Sequence, residues 1–335
     1  MKDCNRDVTN YHRDRVILNP GQRKQLRERR NANRDRLKKG LKKNGDPSPD
    51  EFIIQGSYAA KTTIQEPANA YDIDDGAAFS KDALLGPQGG EKSALDAKKM
   101  VRDAVDDGSF KTPPEVKTNC VRVHYNDGTH VDIPVYRKSI GPDGANYYEI
   151  ASSDWKESNP KGVNDWFSGC LARHSGDGKD QMREVIRLVK GYCKHRPGHS
   201  LPSGFALTVL VDEAYGGFET RLDRVFRNVV TAIRDRLRSS LAVKHPVVEE
   251  HLADEGDTKC AKLRELLSSS MEQLAKLDRG NCKRSDALKV WKKVFNTDYF
   301  DSAIEDALQE EKNAAAAAVA SVTVMPKPFA PLGHQ

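Results

Sequence analysis

No stretch of the 335-residue sequence comes near the ~18 consecutive apolar residues of a membrane span, and the opening MKDCNRDVTNYHRDR lacks the apolar segment of a secretory signal. A cytoplasmic protein with no membrane contact is the expectation. Cysteine is sparse: Cys4, Cys120, Cys170, Cys193, Cys260 and Cys282 are scattered and form no C-x-x-C pair. That spacing excludes a disulfide framework and agrees with a reducing compartment. No internal repeat is found, which sets repeat architectures aside. What is present is a mix of 37% hydrophobic and 31% charged residues, polar for a globular chain but too rich in Val, Ile and Leu for general disorder. The length fits about two domains.

The net charge of +5 is unevenly spread. Between Arg23 and Lys43 there are eleven basic residues against Glu28 and Asp35, a local net charge of +9 that leaves the remainder at −4. Leu26, Leu37 and Leu41 are the large apolar residues of positions 21–43, so a helix here buries a narrow stripe and exposes charge, and Gly45, Pro47 and Pro49 end it. A basic helix lying along the core is expected for residues 1–50. Its field would attract phosphate, but an obligate nucleic-acid activator is not expected.

Residues 51–155 read as mixed α and β. EFIIQGSY is a short strand entering a tight turn, YDIDDGAAF a second strand, and VRVHYNDGTHVDIPVY a hairpin about Asn126-Asp127-Gly128. Between them KSALDAKKMVRDAVDDG has helical spacing through Leu95, Met100, Val101 and Val105. From 156 to 312 nearly every segment has a 3.6 period, which predicts a helical domain. Residues 313–335, an Ala run followed by three Pro, are expected to be a flexible tail.

The chemistry-bearing pattern is Gly56-Ser57, then Asp72-Ile73-Asp74, then Asp132 in HVDIPVY. Residues two apart on a strand share a face, so Asp72 and Asp74 project together while Ile73 enters the core. Two close carboxylates repel unless a cation lies between them, and hard divalent ions take such oxygen ligands. Asp132 alternates with Val131 and Ile133 and completes a set of three if its strand lies beside that of Asp72. Three carboxylates can hold two divalent ions, an arrangement that aligns a hydroxyl nucleophile and a leaving group about phosphorus. The glycine turn lets backbone N–H groups and the Ser57 hydroxyl approach a triphosphate. Asp75 shares the parity of Ile73 and is expected to be a turn residue leading to Gly76. Cys170, His174, Cys193, His195 and His199 lack a zinc-finger spacing and are expected to be buried thiols and surface imidazoles.

The order G-S, D-x-D, h-D-h resembles the polymerase-β-like nucleotidyltransferases. The strings QGSYAAKTTIQ, DIDDGAAF and HVDIPVY resemble the bacterial relatives of cyclic GMP-AMP synthase, the CD-NTases, especially the branch with the bacterial dinucleotide cyclase. IRLVKGYCKHR followed by LPSGFALTVLVDEAY is similar to that family's helical domain, and WKKVFNTDYF to its closing helix. The resemblance implies an α+β fold: a nucleotidyltransferase core of mixed sheet and flanking helices, a C-terminal helical bundle, and an active site in the cleft between them. It implies nucleotide contacts at Gln55, Gly56, Ser57, Lys190 and Ser203. It also implies two Mg²⁺ ions, with Mn²⁺ as a substitute, on Asp72, Asp74 and Asp132, and a cyclic di- or trinucleotide product made from ATP and/or GTP for antiphage signalling through a downstream effector.

A conjugation or regulatory protein at the C-terminal tail belongs to the same picture, although the tail ends Gly333-His334-Gln335 rather than in a small residue. The carboxylates equally suit a transferase adding nucleotides to an RNA end or a protein. A dead scaffold that binds nucleic acid is the third reading.

Overall fold

Alternating Val and polar residues make strands wherever one face of the chain meets the core, and the structure of the protein, a computed structural model, shows where those faces lie. It describes residues 1–65, 71–86 and 88–323. The strands β1 (Glu51–Gln55), β2 (Asp72–Ser80), β3 (Glu115–Val116), β4 (Val121–His124), β5 (His130–Ile133), β6 (Val135–Ile140), β7 (Asn146–Ala151) and β8 (Trp155–Ser158) form one mixed sheet. The helices before and within this half are α1 (Asn5–Tyr11), α2 (Pro20–Asn44), α3 (Gly56–Ala59) and α4 (Ala94–Val105). The remainder is α5 (Pro160–Ala172), α6 (Gly176–Lys194), α7 (Gly204–Ala214), α8 (Leu222–Ser239), α9 (Thr258–Leu274), α10 (Arg284–Phe295) and α11 (Asp301–Thr323), with a small hairpin of β9 (Val243–Lys244) and β10 (His251–Ala253).

Strand β2 organises the sheet. It pairs antiparallel with β1, Gln55 opposite Asp74, and parallel with both β5 and β6 in one continuous register, Asp72 opposite His130 and Ala77 opposite Val135. β5 and β6 are therefore one partner interrupted at Pro134, which has no N–H to donate but whose carbonyl accepts from the Ala77 N–H at 2.8 Å. The hairpin about Asn126–Gly128 sets β4 against β5, with Arg122 opposite Asp132.

One face of this sheet is apolar. Ile73, Val121, Val123, Val131 and Ile133 pack against Leu26, Leu37 and Leu41 of α2 and Ala97, Val101 and Ala104 of α4. Helix α2 starts at a capping box, Asn19 with Gln22, and stops at Gly45 in the left-handed conformation. It crosses α4 so closely that a Cβ on Gly40 would sit 1.9 Å from the Ala104 carbonyl oxygen. Only glycine fits there.

The second core is helical and takes in Val185, Ile186, Leu207, Phe226, Val230, Leu263, Trp291 and Phe295. The first residues of the chain belong to it: Cys4, Val8, Tyr11 and Val16 are buried among these helices, whereas α2 belongs to the sheet core. Residues 1–50 thus do not act as one segment but divide between the two cores. No helix among the described residues is long and apolar enough to cross a membrane.

Four expectations change. Asp75 is no turn residue: β2 runs on through it to Ser80, and its buried carboxylate receives Arg34 Nε at 2.6 Å and Nη2 at 2.5 Å from α2. Leu95, expected on the packed face of α4, is 47% exposed. WKKVFNTDYF is not one helix, because Asn296 takes a left-handed conformation (φ 49°) and ends α10. The Ala run expected to begin the tail continues α11 to Thr323, as high helix propensity favours. The terminal Gly333-His334-Gln335 lies outside the described residues.

Candidate active site

The polar face of the sheet, opposite α2, carries the acids. On β2, Asp72 and Asp74 share this face, and the parallel register brings His130 and Asp132 of β5 directly beside them. Ligand atoms of Asp72, His130 and Asp132 all lie within 4.8 Å of one another. Asp132 accepts two hydrogen bonds from Arg122, Nε at 2.8 Å and Nη2 at 2.7 Å, and His130 Nε2 is 3.6 Å from Asp72 Oδ2.

These contacts push the carboxyls apart in acidity. Burial raises the Asp74 carboxyl well above its usual range, and the charges of Asp72 and Asp132 raise it further. Burial acts on Asp72 the same way, but His130 and Arg122 outweigh it and hold that carboxyl below its ordinary value. A cluster in which one acid is driven toward its neutral form by burial and two acidic neighbours is one that a divalent cation relieves, and the group whose ligand atoms gather is Asp72, His130 and Asp132, an imidazole standing where the sequence pattern put Asp74.

The glycine turn abuts this cluster. Gly56 has φ 65°, and a Cβ there would lie 2.1 Å from Asp74 Oδ2, so the turn and the acid occupy the same space only because the residue is glycine. Ser57 follows on the single turn of α3, its Oγ 3.0 Å from Thr63 Oγ1. Gln55 accepts a hydrogen bond from the Tyr136 hydroxyl at 3.0 Å, which fixes the strand end before the turn.

Across the cleft stands α6. Lys190 is buried and donates to Thr62 Oγ1 at 2.9 Å. Burial lowers its pKa to about 8 against the pull of Asp72 and Asp74. Ser203 caps α7 by accepting from the Ala206 N–H at 3.1 Å, and a Cβ on the next residue, Gly204, would touch Lys190 Cε at 3.4 Å. The cleft between the halves encloses about 890 Å³ and is lined by Gln55, Ser57, Asp72, Asp74, Lys190 and Gly204 among others.

Of the eight residues singled out in the sequence, Gln55, Gly56, Ser57, Asp72, Asp74 and Lys190 line this cleft; Asp132 is not in its lining but pairs beside Asp74, and Ser203 is not either, although its neighbours Pro202 and Gly204 are. Sequence reasoning missed Arg122, His130 and Thr62. The first two were visible as polar alternates, Arg122 between Val121 and Val123, and His130 two before Asp132, but alternation does not say which strands become neighbours. Of the proposed thiol and imidazole set, His195 Nδ1 meets the Tyr11 hydroxyl at 3.3 Å and the Phe295 carbonyl at 3.1 Å.

Residues 50–136 match the family described as cyclic GMP-AMP synthase DncV-like, nucleotidyltransferase domain. The whole fold is similar to that of Escherichia coli DncV in its 3'-deoxy GTP bound form, with TM-score 0.70 and 16% identity over 91% of this chain and 99% of that one. Vibrio cholerae DncV cyclic AMP-GMP synthase gives TM-score 0.67 and 17% identity over 88% and 96% of the two chains. The CD-NTase CdnG of Bradyrhizobium diazoefficiens, in complex with GTP, gives 0.66 and 16% over 92% and 98%. The expected α+β architecture, a mixed sheet with flanking helices joined to a helical domain across a cleft, is the one observed.

Proposed function

We propose that this chain, whose residues 50–136 form a DncV-like nucleotidyltransferase domain, is a cyclic-oligonucleotide synthase that joins nucleoside triphosphates. The observation that carries the reading is the convergence, in one cleft, of Asp72 and Asp74, with Asp132 beside Asp74 in strand register, the Gly56–Ser57 turn on one wall and the Lys190 side chain on the other. The similar structures named above include a cyclic AMP-GMP synthase and a complex with GTP, which supports ATP and/or GTP as substrates here.

Asp72, Asp74 and Asp132 would hold the divalent ions, Mg²⁺ with Mn²⁺ as a substitute. Bound there, the ions neutralise charge at the α-phosphate and acidify the attacking hydroxyl. The chain's own groups do the rest. Ser57 and the backbone N–H groups of its turn receive the phosphates, Lys190 offsets their charge, and Ser203, whose oxygen is used in capping, still has its O–H to donate. A ribose hydroxyl attacks the α-phosphorus, the bond to the β-phosphate breaks, and pyrophosphate leaves.

We assign Asp132 as acceptor of the hydroxyl proton, which requires Arg122 to release one of its two carboxylate oxygens. A linear dinucleotide that rebinds inverted undergoes a second transfer to close the ring. Service in antiphage signalling, with a downstream effector and a protein partner at the C-terminal tail, completes the reading.

Purified protein incubated with Mg²⁺ and all four NTPs, followed by mass spectrometry, tests it. A small product resistant to phosphatase is expected, and D72N and D74N should each abolish it. Label appearing in RNA or protein would assign the chain to a polymer- or protein-modifying transferase instead, and absence of any NTP consumption would overturn the enzymatic reading.

A further inference from the structure

Helix α6 meets the loop after Ser57 along a ladder of three cations. Arg183 Nε donates to the Ala60 carbonyl at 3.3 Å, and Arg187 donates to the Lys61 carbonyl from Nε at 3.1 Å and Nη2 at 2.7 Å. Lys190 Nζ donates to Thr62 Oγ1 at 2.9 Å. Positions i, i+4 and i+7 of one helix face thus engage three consecutive loop residues. The loop has reason to need holding: Lys61 adopts φ 58°, a left-handed conformation that is strained for a side-chain-bearing residue. Within residues 57–63 its other hydrogen bonds are local, among them the Thr62 N–H to the Ser57 carbonyl at 2.8 Å and Ser57 Oγ to Thr63 Oγ1, and the next long-range tie is at its far end, the Gln65 N–H to the Val16 carbonyl at 2.8 Å.

The middle rung is the best built. Arg187 is buried, and its Nη1 is 3.2 Å from Nε2 of His12. Burial and the neighbouring guanidinium lower the His12 pKa to about 3, so that imidazole is neutral and able to accept. The guanidinium is accordingly held from the N-terminal residues on one side and aimed at the loop on the other.

We propose that Arg187 is a positioning residue for nucleoside triphosphate: it fixes the Ala60–Thr62 backbone, and through it the aim of the Ser57 N–H and hydroxyl, from the opposite half of the molecule. This rests on the triphosphate reading of the cleft. The phosphate loop belongs to the sheet half in sequence, but its conformation is set by the helical half. Docking of the two halves and readiness for triphosphate become one event.

The test measures equilibrium binding of a non-hydrolysable NTP analogue with Mg²⁺ to the full chain, alongside amide hydrogen exchange and thermal denaturation. R187M, which keeps the aliphatic stem but leaves the Lys61 carbonyl without its charged donors, should weaken binding about 10-fold, as the loss of charge-assisted hydrogen bonds to a loop predicts. R187K should recover part of that loss. Exchange should accelerate in residues 57–63 and not in α8 or α9. Should R187M fail to fold, R183M, at the more exposed rung, is expected to shift binding and loop exchange in the same direction by less.

Wild-type affinity and unchanged loop exchange in the folded variants would overturn the inference while leaving the nucleotide reading intact. Acceleration spread uniformly over the chain would reduce Arg187 to a structural residue and also overturn it. Failure of the wild-type protein to bind any NTP would instead remove the reading beneath it.

Discussion

Lys190 shows how position changes the chemistry of a residue whose identity the sequence already supplies. A lysine on a solvated helix keeps its proton far above neutrality, but burial brings this one from its ordinary 10.5 to about 8. Below pH ~8 the ammonium is charged and, on the proposed function, would face a triphosphate; as pH rises through that value the charge is lost and NTP binding should weaken, whereas K190M should bind weakly with no such dependence. Titration of analogue affinity between pH 7 and 9.5 checks this. Fold stability should move the other way, rising between about 8 and 10.5, because there the unfolded lysine holds a proton that the folded one does not. The neighbouring Asp74 carboxyl follows the same logic in reverse, raised by burial and by two acids that period-two alternation and strand register bring to one face.

At the scale of elements, the basic helix α2 is explained by what it packs on. Arg34 is bidentate on Asp75, Arg29 on Asp127, and Arg36 meets Asp107 at 2.9 Å, so part of the +9 segment neutralises acids on the back of the sheet. Of the remaining cations Arg30 is half-buried, and Lys24, Arg27, Lys39, Lys42 and Lys43 are exposed. The same helix yields a prediction that helix propensity alone would get wrong. Alanine is better than glycine in a helix interior by ~1 kcal/mol, yet a methyl at Gly40 meets backbone atoms of α4 that cannot rotate away. G40A should therefore lower the midpoint of thermal unfolding, with α2 and α4 forced apart at a cost of ~1–3 kcal/mol. The amphipathic period of α4 was legible in the sequence, but the need for glycine at its crossing with α2 was not, because that depends on a partner distant in sequence.

The molecule as a whole has two cores, and the chain crosses between them near its start. Tyr11 is fully buried, its ring 4.6 Å from Phe295, 5.4 Å from Tyr299 and 5.5 Å from Phe300, while Ile17 bridges to Ile64 at the end of the loop after Ser57. Removing the ring leaves a large cavity in the helical core and not in the sheet core. Y11A should cost ~3–5 kcal/mol, and calorimetry or hydrogen exchange should find the loss in α8 and α10 while β2 and β5 keep their protection. Equal loss in both halves would show that they unfold as one unit.

What the sequence by itself determined is local: strand alternation put Asp72 and Asp74 on one face, a glycine made the turn before Ser57, and a 3.6 period predicted the helical half. Asp132 was nameable as the third acid because a polar residue interrupts an apolar row. The tertiary structure alone decided which distant residues meet. Register set His130 beside Asp72, the hairpin delivered Arg122 to Asp132, strand continuation turned Asp75 toward Arg34, and docking of α6 placed three cations on three loop residues. The physical reason is that periodicity fixes the side of an element on which a residue lies, whereas pairing and packing fix what lies opposite it.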